Sequence, residues 1–274
     1  MGNKNIVNEF IDFVPLYNNS KKVILIFAYH FLIFVLIMIS LYFITSYFWI
    51  LVIPESFLLT TISNVPFIYM LIYSNNLREK YLKKYKNNPW QHFFLYYSYT
   101  SPFGAAALYF PLMLKTNYLL PSIINLPQNF LTKNLFPIYV AIPFGLILFV
   151  IGLLIIRISE NFDTDIGNYL HVMNPDKSRI LRGGVYSYIR HPRFLSRIIL
   201  SISLGIFANN LLAILVALVH FIPYFIFMIA LDKQLIRIYG EEIKQYQENT
   251  PYLLPKIKNW KKFAKIIIFK GKIN

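Results

Sequence analysis

Residues 198–231 read IILSISLGIFANNLLAILVALVHFIPYFIFMIAL, an apolar stretch without any Asp, Glu, Lys or Arg. A membrane-spanning helix needs about 20 such residues, so this stretch is longer than one helix requires. Asn209 and Asn210 interrupt it, and an asparagine pair favours a turn. The stretch therefore predicts a close helical hairpin whose two ends lie on the same side of a membrane.

The rest of the chain has the composition of a membrane protein. It is 57% hydrophobic and 14% charged, whereas soluble domains carry about 25% charged residues. The mean hydropathy is +0.50. Four further apolar stretches are long enough to span or nearly span a bilayer, at 23–50, 51–74, 93–114 and 135–156. We therefore predict an all-α, polytopic transmembrane helical bundle of about five to six membrane helices.

The basic residues predict the orientation of these helices. The loop 75–91 and the chain beyond 255 are rich in lysine and arginine, whereas 115–134 holds only Lys115 and Lys133. Because cytoplasmic loops collect basic residues, we expect both termini in the cytoplasm, at the cytoplasmic membrane of a bacterium or the endoplasmic reticulum of a eukaryote. The bilayer then accounts for the net charge of +15, and no nucleic-acid partner is expected. The tail either lies on anionic headgroups or is a solvated basic segment.

Two polar blocks flank the apolar hairpin. The block at 184–196 reads GVYSYIRHPRFLS; the block at 231–246 reads LDKQLIRIYGEEIKQY and is followed by TPYLLP at 250–255. If the hairpin folds back on itself, Arg190, His191 and Asp232 become neighbours. A pocket with one polar and one apolar wall would then form at the membrane surface.

These blocks resemble the C-terminal pattern of membrane methyltransferases related to isoprenylcysteine carboxyl methyltransferase and phospholipid N-methyltransferase. That pattern runs G-P-Y-x-Y-x-R-H-P-x-Y-x-G, a hydrophobic hairpin, an E-E pair and F-G-x-x-Y-x-x-Y. The resemblance covers about 140–257 and divides the chain into 1–134, N-terminal membrane helices without a family match, and 135–274, a methyltransferase-like region with a cytoplasmic tail. The departures from the pattern are Val185, Phe194, Ser196, Ile243 and, in place of the acidic pair, Leu231 with Asp232.

The resemblance implies S-adenosylmethionine as the cofactor and a lipid-soluble or small hydrophobic acceptor, which accepts the methyl group on a carboxylate, an amine or a thiol. A carboxylate and aromatic faces can stabilise the sulfonium cation, and cationic side chains can bind the cofactor's carboxylate. Arg190 and His191 are the expected catalytic residues. The expected cofactor-binding residues are Gly184, Tyr186, Tyr188, Arg190, His191, Pro192, Phe194 and Asp232.

Other interpretations of the same residues stay open. Arg190 and Arg193 can be interfacial anchors of a helix end, and Asp232 can form a local surface pair with Lys233. Sterol and steroid reductases of membranes share a similar C-terminal layout and use NADPH, and the weakened acidic pair also allows a non-catalytic relative. No metal-ligand spacing is present, so no metal site is expected. We expect Gly152 to permit close helix packing, and His30 and His220 to be buried with a backbone partner.

Overall fold

The computed structural model describes residues 14, 16, 19–85, 89–114, 126, 127, 129–159 and 181–269, with only the backbone at 96 and 97. In these ranges the regular secondary structure is helical, apart from one isolated β-bridge between Asn134 and Asn210. The prediction of an all-α helical bundle is confirmed.

The described α-helices are numbered in chain order. They are α1 (Ser20–Tyr47), α2 (Val52–Ile72), α3 (Ser74–Lys84), α4 (Pro89–Ser98), α5 (Ser101–Met113), α6 (Ile138–Ser159), α7 (Pro192–Ala208), α8 (Leu211–Val219), α9 (Phe221–Tyr239), α10 (Glu241–Asn249) and α11 (Trp260–Phe269). Short 3₁₀ helices cover Trp49–Leu51, Gly184–Ser187 and Ile257–Asn259.

Four segments of the described chain are long and apolar enough to cross a membrane, which identifies an integral membrane protein. They are Ser20–Tyr47, Trp49–Ile72, Ile138–Ser159 and Leu211–Tyr239. The other two predicted membrane segments are shorter. Helix α7 has 17 residues, and the stretch predicted at 93–114 breaks between α4 and α5 just before Pro102, as proline favours the first turn of a helix.

The last apolar stretch forms the predicted hairpin. Asn209 ends α7 in the left-handed conformation with φ 60°, which asparagine adopts more readily than most residues. Its side chain accepts a hydrogen bond from the backbone N of Phe136 at 3.0 Å and donates one to the Phe136 carbonyl at 2.9 Å. The side chain of Asn210 then caps α8 by accepting from the N of Ala213 at 2.8 Å. The returning arm continues into α9 after His220.

Helices α6 and α7 pack through two matched contacts between serine and glycine. The hydroxyl of Ser196 donates to the Gly152 carbonyl at 2.7 Å, and that of Ser203 donates to the Gly145 carbonyl at 2.9 Å. A Cβ on Gly152 would lie 2.7 Å from Cγ of Leu200, so only glycine allows this approach. The predicted packing role of Gly152 is confirmed.

The two histidines of the apolar stretches differ in their partners. The ring nitrogens of His30 lie 2.7 Å and 3.1 Å from backbone carbonyls of Ile26 and Ser98, as expected, but the residue is only half-buried. His220 is buried, and its ring nitrogens instead contact the hydroxyls of Ser56 at 2.5 Å and Ser201 at 3.0 Å. The predicted backbone partner of His220 is therefore wrong, and the residue connects the junction of α8 and α9 to α2 and α7.

Candidate active site

The Arg190-His191 dipeptide lies in a loop that two segments of the chain build together. The loop begins with the 3₁₀ turn Gly184–Ser187, in which Gly184 has φ 60°. The backbone N of Arg190 donates to the Pro251 carbonyl at 2.8 Å, and that of His191 donates to the Tyr252 carbonyl at 3.0 Å. The chain beyond α10 is thus hydrogen-bonded to the dipeptide, and Pro192 begins α7 directly after it.

The hairpin brings Asp232 of α9 to this loop. Oδ2 of Asp232 accepts a hydrogen bond from Nη1 of Arg190 at 2.5 Å, and the two side chains are 6% and 10% exposed. Nε2 of His191 lies 3.1 Å from Oδ1 of Asp232, within ion-pair distance but without hydrogen-bond alignment. Asp232 therefore does not form the alternative surface pair with Lys233, and Arg190 is not a solvated anchor.

The hydrogen-bonding groups of the buried Arg190 and His191 side chains are only partly satisfied. The guanidinium carbon of Arg190 lies 3.8 Å from the centroid of the Tyr252 ring, a cation–π contact. Nε of Arg190 and Nε2 of His191 are buried and have no hydrogen-bond partner in the described part of the chain. An unsatisfied buried polar atom costs about 1–3 kcal/mol, so these two atoms are the ones that a polar ligand would satisfy.

Helix α10 holds the loop against α9. The hydroxyl of Tyr246 donates to the Tyr186 carbonyl at 2.7 Å, and the Gln247 side chain donates to the Asp232 carbonyl at 3.2 Å. Burial raises the pKa of Tyr246 to about 12, where Arg190 and Arg182 oppose the rise and Asp232 adds to it. Burial and the Asp232 carboxylate also raise the pKa of Tyr252. Both hydroxyls therefore stay protonated at neutral pH.

Residues 140–242 match the family model described as phospholipid methyltransferase. The matched range contains most of α6, the Arg190 loop, the hairpin and Asp232. The match confirms the resemblance seen in the motifs and supports a membrane methyltransferase of the phospholipid or isoprenylcysteine type. No curated protein matches the chain. No solved structure matches it either.

Within the matched region, the other expected site residues lie in different surroundings. Phe194 is buried in an apolar cluster with Tyr224 and Phe227, and its ring centroid lies 5.9 Å from that of His191. Tyr188 packs against Phe263 of α11 at 6.3 Å between ring centroids. The Tyr186 hydroxyl donates to the Ser159 carbonyl at 3.3 Å.

Two further aromatic residues, Tyr246 and Tyr252, lie beside the charged group in addition to Phe194. Sequence reasoning did not assign them to the site, although a signal existed for each. Tyr246 occupies the second tyrosine position of the F-G-x-x-Y-x-x-Y pattern, and Tyr252 follows directly on Pro251 in the proline-bounded segment.

Leu231 stands where the methyltransferase pattern has its first acid. It is buried in the apolar cluster with Phe227 and Met228, so no carboxylate takes that place. Glu241 pairs with Lys244 at 3.4 Å and Glu242 with Arg182 at 2.8 Å, both outside the Asp232 group. Neither glutamate therefore replaces the missing acid. No cluster of three or more possible metal ligands occurs in the described ranges.

Proposed function

We propose that the protein is an integral membrane methyltransferase that uses S-adenosylmethionine and acts on a lipid-soluble or small hydrophobic acceptor. The observation that carries the proposal is the buried group of Arg190, His191 and Asp232, which the membrane hairpin assembles inside the range matched by the phospholipid methyltransferase model. Such a group brings a polar cofactor to the edge of a bilayer that dissolves the acceptor.

The residues of the site fit this cofactor. Nε of Arg190 and Nε2 of His191 are buried without a partner, and a carboxylate or a ribose hydroxyl would satisfy them. Tyr252 and the Asp232 carboxylate provide an aromatic face and a negative charge next to them, which suit a sulfonium. When bound, the cofactor supplies a methyl group on a cationic sulfur that is activated for transfer.

The chain's own contribution is positioning and exclusion of water, the main requirements for direct methyl transfer. Asp232 orients Arg190 and His191 through its two carboxylate oxygens. His191 can hold the proton that an amine or thiol acceptor releases, whereas a carboxylate acceptor releases none.

The lipid side of the site supports an acceptor dissolved in the membrane. Phe225 of α9 is 40% exposed on the membrane-spanning segment, and its ring centroid lies 6.1 Å from that of Tyr252. The aromatic wall next to Arg190 therefore continues to the lipid-facing surface. A hydrophobic acceptor can approach along this wall without crossing water.

Binding of radiolabelled S-adenosylmethionine and of NADPH to detergent-solubilised protein tests the proposal. We expect saturable binding of S-adenosylmethionine, which His191→Ala and Arg190→Gln abolish while membrane insertion is unchanged. Arg182→Gln is the matched control, because Arg182 pairs with Glu242 outside the group. Binding of NADPH instead would identify a reductase, and binding of neither would indicate a non-catalytic relative.

A further inference from the structure

Helix α11 has two chemically different faces. Phe263, Ile266 and Ile267 are buried. At 100° per residue, Lys261 and Lys265 lie on the opposite face, and both are exposed. A short helix with one buried apolar face and one basic face is typical of a segment at a membrane surface.

The buried face of α11 contacts the active-site loop. It forms one apolar cluster with Ile155 near the end of α6 and with Val185 and Ile189 of the loop, and Ile189 directly precedes Arg190. Since α6 is a candidate membrane span that ends at Ser159, α11 lies next to a membrane end of the bundle. A change in the position of α11 is therefore transmitted to the loop that carries Arg190 and His191.

The outer surface of this segment combines lysines with exposed apolar side chains. Acidic residues are missing after Glu248, so nothing in the segment offsets the lysines. Ile257 is 90% and Phe269 67% exposed, so both side chains are accessible to the acyl region of a leaflet. The exposed lysines are Lys256, Lys258, Lys261, Lys262 and Lys265.

We propose that α11 binds anionic phospholipid headgroups of the surrounding leaflet and so stabilises the active-site loop. The lysines meet the lipid phosphates, and the exposed apolar side chains enter the upper acyl region. Each lysine near an anionic surface is expected to shift the equilibrium towards the bound helix about fivefold. Added salt weakens this contribution by screening.

The absence of cysteine from the chain allows a direct test on the full-length protein. Ala264 is exposed on α11, so Ala264→Cys can carry a bimane label. The labelled protein is reconstituted into phosphatidylcholine vesicles with or without phosphatidylglycerol, each with the same fraction of a lipid bearing a nitroxide on its headgroup. We expect stronger quenching in the anionic vesicles, and a decrease of this quenching at high salt.

Charge variants identify the residues responsible. Replacing Lys261, Lys262 and Lys265 with Gln should remove the increase in quenching, and replacing them with Arg should retain it. The matched control replaces Lys80, Lys83 and Lys84 of α3 with Gln, which changes the net charge equally and should leave the quenching unchanged. Equal quenching in neutral and anionic vesicles, or an equal effect of the control, would overturn the proposal.

The effect on the loop is measured separately and depends on the proposed function. S-adenosylmethionine should bind more tightly in anionic than in neutral vesicles, and the Gln variant of α11 should lose this difference. A lipid-dependent quenching signal without any cofactor binding would contradict the proposed function and leave the lipid contact standing. Cofactor affinity that ignores lipid charge would contradict the coupling between α11 and the loop.

Discussion

At the scale of single residues, the Arg190–Asp232 pair shows how a costly interaction is retained. Removing two charges from water costs several kcal/mol per ion, and their attraction offsets this only with good geometry and further partners. Here the Tyr252 ring covers the guanidinium, and His191 lies next to the second carboxylate oxygen. The pair therefore orients the site more than it stabilises the fold.

Breaking one side of this pair should be more damaging than removing both. Asp232→Asn leaves the Arg190 charge buried, so we expect it to lower the free energy of unfolding by about 3–5 kcal/mol. The double variant Arg190→Gln with Asp232→Asn should be more stable than Asp232→Asn alone. Denaturant unfolding of the protein in detergent micelles measures both.

The exposed pair of Arg182 and Glu242 is the matched control for this prediction. It is formed at 2.8 Å, but the side chains of Arg182 and Glu242 are 36% and 68% exposed to solvent. Glu242→Gln should therefore change the free energy of unfolding by less than about 1 kcal/mol. If Asp232→Asn had an effect as small as this, the pair of Arg190 and Asp232 would not be desolvated.

Because the pKa of Tyr246 is raised, we expect the protein to lose stability at alkaline pH. Its pKa is raised from 10.0 to about 12, so the folded state favours the neutral hydroxyl that donates to the Tyr186 carbonyl. This contribution is complete below pH 10 and is lost as the pH rises towards 12, by about 1–2 kcal/mol because the ring is only partly buried. Tyr246→Phe should be less stable than wild type at neutral pH, and the difference should shrink between pH 10 and 12. A constant difference across this range would contradict the assignment.

At the scale of elements, glycine and serine determine how closely α6 and α7 approach. The two hydroxyl-to-carbonyl contacts are seven residues apart on each helix, so the same face repeats every two turns. In lipid the hydrophobic effect does not drive helices together. Close approach of the two backbones and these interhelical hydrogen bonds stabilise the packing instead.

Gly152→Ala tests this packing. The added Cβ would lie 2.7 Å from Cγ of Leu200, so we expect a loss of about 1–3 kcal/mol in the free energy of unfolding. The loss should be smaller when Leu200→Ala is already present, because the clash is then relieved. Gly183→Ala is the control, since its Cβ would meet no atom within 4 Å and its φ of −88° suits alanine. Additive effects of the two substitutions on α6 and α7 would contradict the steric explanation.

At the scale of the whole molecule, the N-terminal helices share contacts with the region matched by the family model. Ser56 of α2 contacts His220, which also contacts Ser201 of α7. Gln234 of α9 donates to the Ser74 hydroxyl at 2.8 Å. The division of the chain between residues 134 and 135 stays a prediction. These polar contacts connect its two parts at two places in the bundle.

The membrane orientation is a further prediction that the cysteine-free chain makes testable. Lys83 and Lys258 lie towards the active-site end and Phe130 towards the hairpin turn, and all three are exposed. A membrane-impermeant thiol reagent added to intact cells should label Phe130→Cys and leave Lys83→Cys and Lys258→Cys unlabelled. The reverse pattern would invert the orientation, and labelling of Lys83→Cys or Lys258→Cys alone would change the number of crossings.

The sequence alone determined the helical class, the position of the hairpin turn and the two polar blocks, because apolar length, asparagine at a turn and charge in a membrane chain have local physical causes. It also determined that Arg190, His191 and Asp232 could meet. Only the tertiary structure decided which aromatic rings meet them. Tyr252 and Tyr246 reach the group through backbone and hydroxyl contacts between distant segments. Phe194 packs between an apolar cluster and the His191 ring, whereas Tyr188 turns towards Phe263. Side-chain direction at a loop depends on packing from several helices at once, and no local pattern in the chain encodes it.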